Sequence, residues 1–334
     1  MKNRFIYLAF LLILAACGLR DQAPQQVSIR GVVFGTYYSV IYYDEDGRVF
    51  QHGIDSLFSD FNSSLSFYDP NSLLSRVNRN EEEYVDDYFK VVFGRSQQIF
   101  RETDGVFDAS VFPLVNAWGF GFADRAQMTP EEVDSLLEFV GFEKVRLDND
   151  RIVKDDERVQ LDFNAIAKGY AADLVGHYLE ARGVSTYLVE IGGDLVAKGV
   201  KPDGTMWRIG LEIPAEDMAA DQQWDYLVEI EDIGLATSGD YRRYHEVDGQ
   251  RYSHTINPQT GHPVTHNLLS VSVFASDAMS ADAYATAFMV MGLDAAIEFV
   301  DARDDLEAYF IFSDDDGFGS HATSGLILLS REDL

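Results

Sequence analysis

Two oxygen-bearing side chains in the C-terminal part of the chain are spaced for cation binding. Asp282 and Thr286 are four residues apart in a stretch, Ser280 to Met291, whose pattern predicts a helix. At that spacing both side chains lie on one helix face. A carboxylate and a hydroxyl are hard oxygen ligands of the kind that Mg²⁺ accepts while it keeps waters and phosphate oxygens in its shell. A simpler interpretation stays open here: Asp282 caps the helix, and Thr286 bonds back to its backbone.

His254 is the histidine best placed for acid–base chemistry. It lies just before a proline-containing turn, and an imidazole titrates near neutral pH, as a general base for a hydroxyl requires. A structural histidine fits the same pattern. Asp240, after Thr237-Ser238-Gly239, is a second candidate for orienting or accepting the proton. Arg242 and Arg243 can either bind phosphate or pair with carboxylates of this acidic chain.

Five segments combine polar residues with Gly, Pro or small residues. They are Ser66 to Asn78, Thr103 to Gly121, Leu161 to Ala171, Glu190 to Asp194, and Ala236 to Val264. In the third, Asp162 and Lys168 flank small residues ahead of a predicted helix. Small residues let the backbone approach a ligand closely, and a helix N-terminus attracts phosphate. Lys168 can equally be an ordinary surface lysine. Neither GxGxxG after a strand nor GxxxxGK[ST] occurs, so Rossmann and P-loop sites have no support.

The elements that must position these residues are predicted from periodicity and caps. Helices are predicted over 52–65, 84–102, 168–182, 280–291 and 293–302, and one more is opened by Thr129-Pro130. Strands are predicted from Ile29 to Tyr42 and, alternating with turns, from Thr186 to about Val273. This mixture predicts an α+β domain whose strands form meanders more often than βαβ units.

Taken in order, the five segments and the helix carrying Asp282-Ala283-Tyr284-Ala285-Thr286-Ala287 resemble the ApbE family, the FAD:protein FMN transferases. The resemblance runs from Phe34 to Gly292. One motif alone would be weak, but five in register are specific. The resemblance implies a single α+β catalytic domain of mixed, mainly antiparallel sheets with packed helices, ApbE-like and related to the T-fold.

The resemblance also implies roles for residues of this sequence. It implies a Mg²⁺ site formed by Asp282, Thr286 and backbone carbonyls at Ala165 and Ala285. It places FAD against Phe34, Tyr68, Val106, Phe107, Asp108, Asp162, Lys168 and Ile256. His254 or Asp240 is expected to deprotonate the acceptor hydroxyl. The family usually has Met at the position of Phe34 and Gly-Ala-Phe-Asp in place of Gly105-Val106-Phe107-Asp108, which affects fit more than chemistry. Without the resemblance, Phe34 and Tyr68 could simply be core aromatics.

The implied reaction is Mg²⁺-dependent transfer of the FMN moiety of FAD to a Ser or Thr hydroxyl of an exported acceptor protein, with release of AMP. By the same resemblance, the acceptor is expected to be a subunit of a membrane electron-transfer complex. Two alternatives stay open: an FAD pyrophosphatase in which water attacks, and a flavin-binding lipoprotein without catalysis. A purely structural lipoprotein would leave the five segments unexplained.

The N-terminus predicts export and lipidation. Lys2 and Arg4 precede the apolar run Phe5 to Ala16, which is too short to span a bilayer. The run ends in Leu14-Ala15-Ala16-Cys17-Gly18, which resembles a lipobox, and Cys17 is the only cysteine. We therefore expect a signal peptide over 1–16, a lipidated cysteine and flexible tether over 17–28, and the catalytic domain over 29–334. Acyl chains on Cys17 would hold the protein to the periplasmic side of a bacterial membrane. A plain cleaved signal with an incidental cysteine is the alternative.

The charge balance excludes one class of partner. The 334 residues include 26 Lys and Arg against 56 Asp and Glu, which gives a formal net charge of −30. Binding nucleic acid requires clustered basic side chains, so a nucleic-acid partner is not expected. Solubility through self-repulsion is the simplest consequence of this charge.

Overall fold

The protein is described by a computed structural model that covers residues 23–122, 128–212, 224–239, 244–247, 250–253, 255–314 and 317–330. Its main sheet has eight strands in the order β1-β2-β5-β6-β9-β12-β13-β14, and each described pair is antiparallel. These strands are β1 Gln25–Val33, β2 Thr36–Asp44, β5 Tyr187–Ile191, β6 Asp194–Lys198, β9 Ile233–Gly239, β12 Leu268–Ala275, β13 Glu307–Asp314 and β14 Gly317–Ala322.

The remaining described strands form three smaller sheets, and helices pack around the main sheet. The smaller sheets are the hairpins β3 Val145–Asp148 with β4 Arg151–Lys154 and β10 Tyr244–Val247 with β11 Gln250–Ser253, and the sheet of β7 Trp207–Glu212, β8 Trp224–Ile230 and β15 Leu328–Leu329. The helices are α1 Gln51–Leu65, α2 Leu73–Asn78, α3 Asp87–Glu102, α4 Phe112–Ala117, α5 Pro130–Leu137, α6 Ala167–Glu180, α7 Ala278–Met291 and α8 Leu293–Asp301. The predicted α+β class with mainly antiparallel sheets is confirmed.

The β1–β2 hairpin begins earlier than predicted. Gln25 to Ser28 pair with the end of β2, so these four residues, predicted as part of the tether, belong to a strand. Val33 pairs with Thr36, which leaves Phe34 and Gly35 as a two-residue turn with φ of 52° and 76°. Positive φ at both central positions is what a type I′ turn requires, and this turn matches the twist of paired strands. The turn therefore holds Phe34 in a conformation that few non-glycine residues adopt.

The helix signals in the sequence are confirmed where they are strong. In α3 the buried Phe89, Val92, Phe93, Ser96 and Ile99 recur at three- and four-residue intervals, which places one face against the core. In α5 Thr129 and Glu132 form the reciprocal capping box, with Pro130 at the first helical position. Within the described ranges, no helix has the length and apolar character that crossing a bilayer needs.

Helix α7 is central to the fold because it is buried on nearly all sides. Eleven of its residues are buried, five of them alanines, and it packs against α6, β9 and β12. Its start is approached closely from two sides: a Cβ on Gly169 would lie 2.1 Å from the Ala278 carbonyl oxygen, and one on Gly234 would lie 2.2 Å from the Ala278 nitrogen. Asp173 of α6 accepts hydrogen bonds from the backbone N–H groups of Ala278 and Met279 at 2.9 and 2.8 Å. Glycine and a buried carboxylate thus fix α7 against its neighbours.

Candidate functional site

A charged cluster lies where α6 begins beside α7. The Lys168 ammonium donates to the Asp194 carboxylate and lies 3.9 Å from Asp282 Oδ1. Asp282 Oδ2 accepts the backbone N–H of Gly169 at 3.2 Å. The structure therefore brings together two of the residues singled out from sequence, Lys168 and Asp282. Because Lys168 contacts a buried carboxylate, it is not an ordinary surface lysine.

Thr286 lies one helical turn after Asp282, on the same face of α7. Its Oγ1 is 3.5 Å from the hydroxyl of Ser238 on β9. The interpretation of Asp282 as a helix cap is wrong: the N-cap of α7 is Asp277, whose Oδ1 accepts the N–H of Ser280 at 2.7 Å. Asp282 lies one turn further along, and its side chain is turned toward α6.

Asp194 is the residue whose importance the sequence did not show. It is 1% exposed, and its pKa is raised first by burial and then by the negative charge of Asp282, while the Lys168 ammonium opposes the rise. It follows Gly192 and Gly193, which have φ of 61° and 100° and turn the chain sharply between β5 and β6. Asp194 ends the fourth polar segment, and the glycine pair directly before it is the sequence signal for a turn that positions this carboxylate.

Phe34 lies at the same end of the main sheet. The backbone N–H of Gly192 donates to the Tyr37 carbonyl at 3.0 Å, and a Cβ on Gly192 would lie 2.8 Å from Thr36 Cγ2. The β1–β2 turn therefore adjoins the glycine turn that precedes Asp194. The ring of Phe34 contacts those of Phe58 and Phe61, with centroids 5.6 and 5.1 Å apart, and lines an open cavity of about 470 Å³.

Hydrogen bonds to backbone groups connect the first three polar segments. The Asn78 amide both donates to the Leu161 carbonyl and accepts the Leu161 N–H, each at 2.8 Å. The next residue, Asp162, donates its N–H to the Ala109 carbonyl at 2.7 Å. Burial raises the pKa of the Asp162 carboxyl, whose Oδ1 accepts the Asn164 N–H at 2.8 Å. Segments distant in sequence thus meet just ahead of α6.

Asp108 has a structural task in this arrangement. Its Oδ1 accepts both the N–H and the hydroxyl of Ser110, at 2.7 and 2.6 Å, and Oδ2 accepts the Phe142 N–H at 3.1 Å. Burial raises the pKa of Asp108 to about 6. Both carboxylate oxygens therefore accept hydrogen bonds within the protein, and contact of Asp108 with FAD stays a prediction.

Two further predicted flavin contacts have buried side chains. Phe107 is 3% exposed and lies in the main core. Ile256 is 5% exposed and packs in a small cluster with Leu114, Trp118, Val133 and Val140. Val106, between Gly105 and Phe107, is half-buried. For these positions, contact with FAD stays a prediction, and at Phe107 and Ile256 it would use the backbone.

Tyr68 is not a core aromatic. It is 70% exposed, at the surface end of a group of aromatic rings that also contains Phe67, Phe112 and Phe122. An exposed tyrosine offers a ring face to a ligand, as the predicted flavin contact requires.

The residues of the cluster fit Mg²⁺ by their donor chemistry. Asp282 supplies a carboxylate and Thr286 a hydroxyl, both hard oxygen donors. The N–H of Gly169, in the first turn of α6, donates to the Asp282 carboxylate, and Ala165 lies two residues before that helix begins. Ala285 is fully buried inside α7, where its carbonyl belongs to the helical ladder.

No cluster of three or more His, Cys, Asp or Glu side chains able to hold a metal ion occurs among the described residues. A cation at this place would therefore depend on hydroxyl, carbonyl, water and phosphate oxygens besides Asp282.

The two catalytic candidates lie outside the described residues. His254 follows the end of β11, and Asp240 follows the end of β9. Cys17, Arg242 and Arg243 also lie outside the described residues. The roles of these five residues stay predictions.

Comparison with known proteins decides the family. The sequence model of the ApbE family matches residues 34–310. This chain belongs to the ApbE family. The FAD:protein FMN transferase of Vibrio cholerae is 36% identical over 333 residues, which cover 97% of this chain and 98% of that protein. The protein of the same name from Escherichia coli K12 is 33% identical, covering 95% of this chain and 94% of its own length.

Solved ApbE structures share the fold. The flavin transferase ApbE from Vibrio cholerae superimposes with a TM-score of 0.80 at 35% identity, covering 90% of this chain and 98% of that one. The apo form of the flavinyl transferase ApbE from Pseudomonas stutzeri gives 0.81 at 34% identity, covering 92% and 97%. The ApbE fold expected from the sequence motifs is therefore confirmed.

Proposed function

We propose that this ApbE protein transfers the FMN moiety of FAD to a Ser or Thr hydroxyl of an acceptor protein, with bound Mg²⁺, and releases AMP. The observation that carries the proposal is the meeting of Lys168, Asp194 and Asp282 at the start of α6, with Thr286 one turn after Asp282, in a chain whose relatives are FAD:protein FMN transferases. Positive charge, hard oxygen donors and a helix N-terminus together suit a diphosphate.

The reaction exchanges the phosphoanhydride bond between the FMN and AMP halves of FAD for a phosphoester bond to the acceptor. The acceptor oxygen forms a bond to that phosphorus, the bond to the AMP oxygen breaks, and the hydroxyl proton passes to His254 or Asp240. In this proposal the Lys168 ammonium offsets part of the negative charge of the diphosphate. When bound, Mg²⁺ would be held by Asp282, Thr286 and the Ala165 carbonyl and would neutralise negative charge on phosphate oxygens.

Release of AMP with and without an acceptor tests the proposal. The protein is incubated with FAD and Mg²⁺, alone or with a protein that carries an acceptor threonine, and AMP is quantified. A transferase releases AMP in step with the acceptor that is present. Equal release without acceptor would instead identify an FAD pyrophosphatase, and FAD binding without AMP in either sample would identify a binding lipoprotein.

We further propose that the protein is exported and lipid-anchored through Cys17, and that its acceptor is a subunit of a membrane electron-transfer complex. The support is the lipobox-like Leu14-Ala15-Ala16-Cys17-Gly18. Attachment to the membrane would confine enzyme and acceptor to one surface and so raise their effective concentration. Cys17→Ser should move the protein from the membrane fraction to the soluble fraction; continued membrane association would contradict the anchor.

A further inference from the structure

An aromatic group runs from the core to the surface beside Tyr68. The ring of Phe112 is buried, and its centroid lies 4.2 Å from that of Phe67. Phe122 stacks on Phe67 with centroids 5.1 Å apart and planes 8° from parallel. Phe122 itself is 65% exposed. The inner two rings therefore support an outer aromatic ring that is largely open to solvent.

Tyr68 and Phe122 together form a corner. Their ring centroids are 6.0 Å apart, and their planes are 88° from parallel. Both are among the most exposed large apolar side chains of the described residues. A flat ring entering such a corner can stack on one wall and meet the other edge to face, and both are favourable aromatic geometries. Supported aromatic rings that stay exposed are a common feature of binding surfaces.

The corner is joined to the charged cluster by two short connections. Phe112 begins α4, three residues after Ala109, and the Ala109 carbonyl accepts the Asp162 N–H at 2.7 Å. From Asp162 the chain turns directly into α6, which carries Lys168 in its first turn. The segment that carries the corner and the segment that carries Lys168 therefore meet just ahead of α6.

We propose that Phe122, with Tyr68, forms a stacking site for a flat heterocycle of FAD, which makes Phe122 a further substrate-positioning residue. The inference rests on the proposed function, because it assumes FAD as the ligand, and it extends that function to a residue to which the family resemblance gives no role. FAD carries two rings of this chemistry, isoalloxazine and adenine. Either ring would bind more tightly by stacking on the π-face of Phe122, whereas an aliphatic side chain there would offer only apolar contact.

Substitution of Phe122 separates stacking from apolar contact. The dissociation constant of FAD is measured by calorimetry for the wild type and for Phe122→Ala, Phe122→Leu and Phe122→Trp. Loss of the ring should weaken FAD binding about tenfold in the alanine and leucine variants, and tryptophan should restore it. The matched control is Phe318→Ala, which removes a 51% exposed ring on β14 and should leave FAD affinity unchanged.

The same variants with FMN and AMP as separate ligands identify the ring. Weaker binding of FMN assigns the corner to isoalloxazine, and weaker binding of AMP assigns it to adenine. Unchanged FAD affinity in Phe122→Ala overturns the proposal, as does full affinity in Phe122→Leu. A raised KM for the acceptor with unchanged FAD affinity also overturns it and marks an acceptor-docking surface.

The dissociation constant of FAD and the release of AMP are measured separately, so failure of the stacking proposal can be told from failure of the proposed transferase activity. Wild-type protein that binds FAD but releases no AMP contradicts the proposed function, while the stacking site still stands or falls on the dissociation constants. In an active enzyme, Phe122→Ala should raise the KM for FAD more than it lowers kcat, because the ring contacts no reacting atom.

Discussion

At the scale of single residues, the Lys168 ammonium lies between two carboxylates. It donates to Asp194, which is 1% exposed, and lies 3.9 Å from Asp282. Two negative charges this close in a buried setting raise the free energy of the folded protein, and the positive charge of Lys168 offsets that rise. Asp194 is therefore the closer partner of Lys168, and in the proposed function this arrangement leaves Asp282 to bind the cation.

Asp194→Asn should raise the Mg²⁺ requirement of the enzyme. In this variant the side chain at position 194 carries no charge, so the Lys168 ammonium pairs with Asp282 and competes with Mg²⁺ for that carboxylate. We expect kcat/KM to fall about tenfold or more at fixed Mg²⁺, and added Mg²⁺ to recover part of it. The control is Asp232→Asn, an exposed carboxylate near Lys198, which should have no effect. An Asp194→Asn enzyme with unchanged Mg²⁺ dependence would show that the pair is only structural.

Asp173 should make stability depend on pH. Burial raises its pKa to about 7, well above the ordinary value of about 3.9. Between these values the folded protein keeps a proton that the unfolded chain has lost, so the free energy of unfolding falls as pH rises from about 4 to about 7. In Asp173→Asn this contribution is removed, and urea unfolding across that range should give a shallower pH profile. Parallel profiles for both proteins would contradict the assignment.

Only part of the site could be predicted from single residues. The spacing of Asp282 and Thr286 shows that they share a helix face, but not that this face meets α6. The Lys168–Asp194 and Gly169–Asp282 contacts join residues 26 and 113 positions apart. Such contacts depend on sheet order and helix packing, which residue types do not encode locally. For the same reason, sequence alone could not show that the Asp108 carboxylate is occupied by Ser110 and Phe142.

At the scale of elements, the close approach of α6 to α7 determines the position of the site. Gly169→Ala would put a methyl carbon 2.1 Å from the Ala278 carbonyl oxygen, so the helices must move apart. We expect a loss of about 2 kcal/mol or more in the free energy of unfolding, with a large loss of activity. Thermal and urea unfolding would measure the loss in the free energy of unfolding.

The matched control is Gly94→Ala in the middle of α3, where a Cβ would meet nothing within 4 Å. Alanine is the better helix former, so this variant should gain up to about 1 kcal/mol and keep its activity. If both variants behaved alike, the close contact at Ala278 would have no energetic importance.

Helices of more than two turns could be predicted from the sequence, whereas six-residue helices and the start of an edge strand could not. Periodicity predicted α1, α3, α6, α7 and α8 to within a few residues. The six-residue helices α2 and α4 are too short to show a period. The start of β1 has the sequence character of a tether because Gln25, Gln26 and Ser28 are polar, and on an exposed edge strand polar side chains are compatible with pairing.

At the scale of the whole molecule, the net charge of −30 should make stability depend on salt. Self-repulsion destabilises a compact, highly charged state, and salt screens it over about 8–10 Å at physiological ionic strength. Raising NaCl from about 0.01 to 0.15 M should therefore raise Tm by a few degrees. KCl should act equally, since screening does not distinguish the two cations. A Tm that falls with salt would show that attractive ion pairs outweigh the repulsion.

The central claim is that the cluster around Asp282 carries FMN transfer from FAD to a protein. The most direct measurement is the intact mass of a threonine-containing acceptor after incubation with FAD, Mg²⁺ and either wild-type enzyme or Asp282→Asn. The exposed Asp294→Asn on α8 is the control. We predict a mass gain equal to one FMN phosphoester with wild type and Asp294→Asn, and none with a folded Asp282→Asn. Full labelling of the acceptor by Asp282→Asn, or no labelling by wild type, would contradict the account.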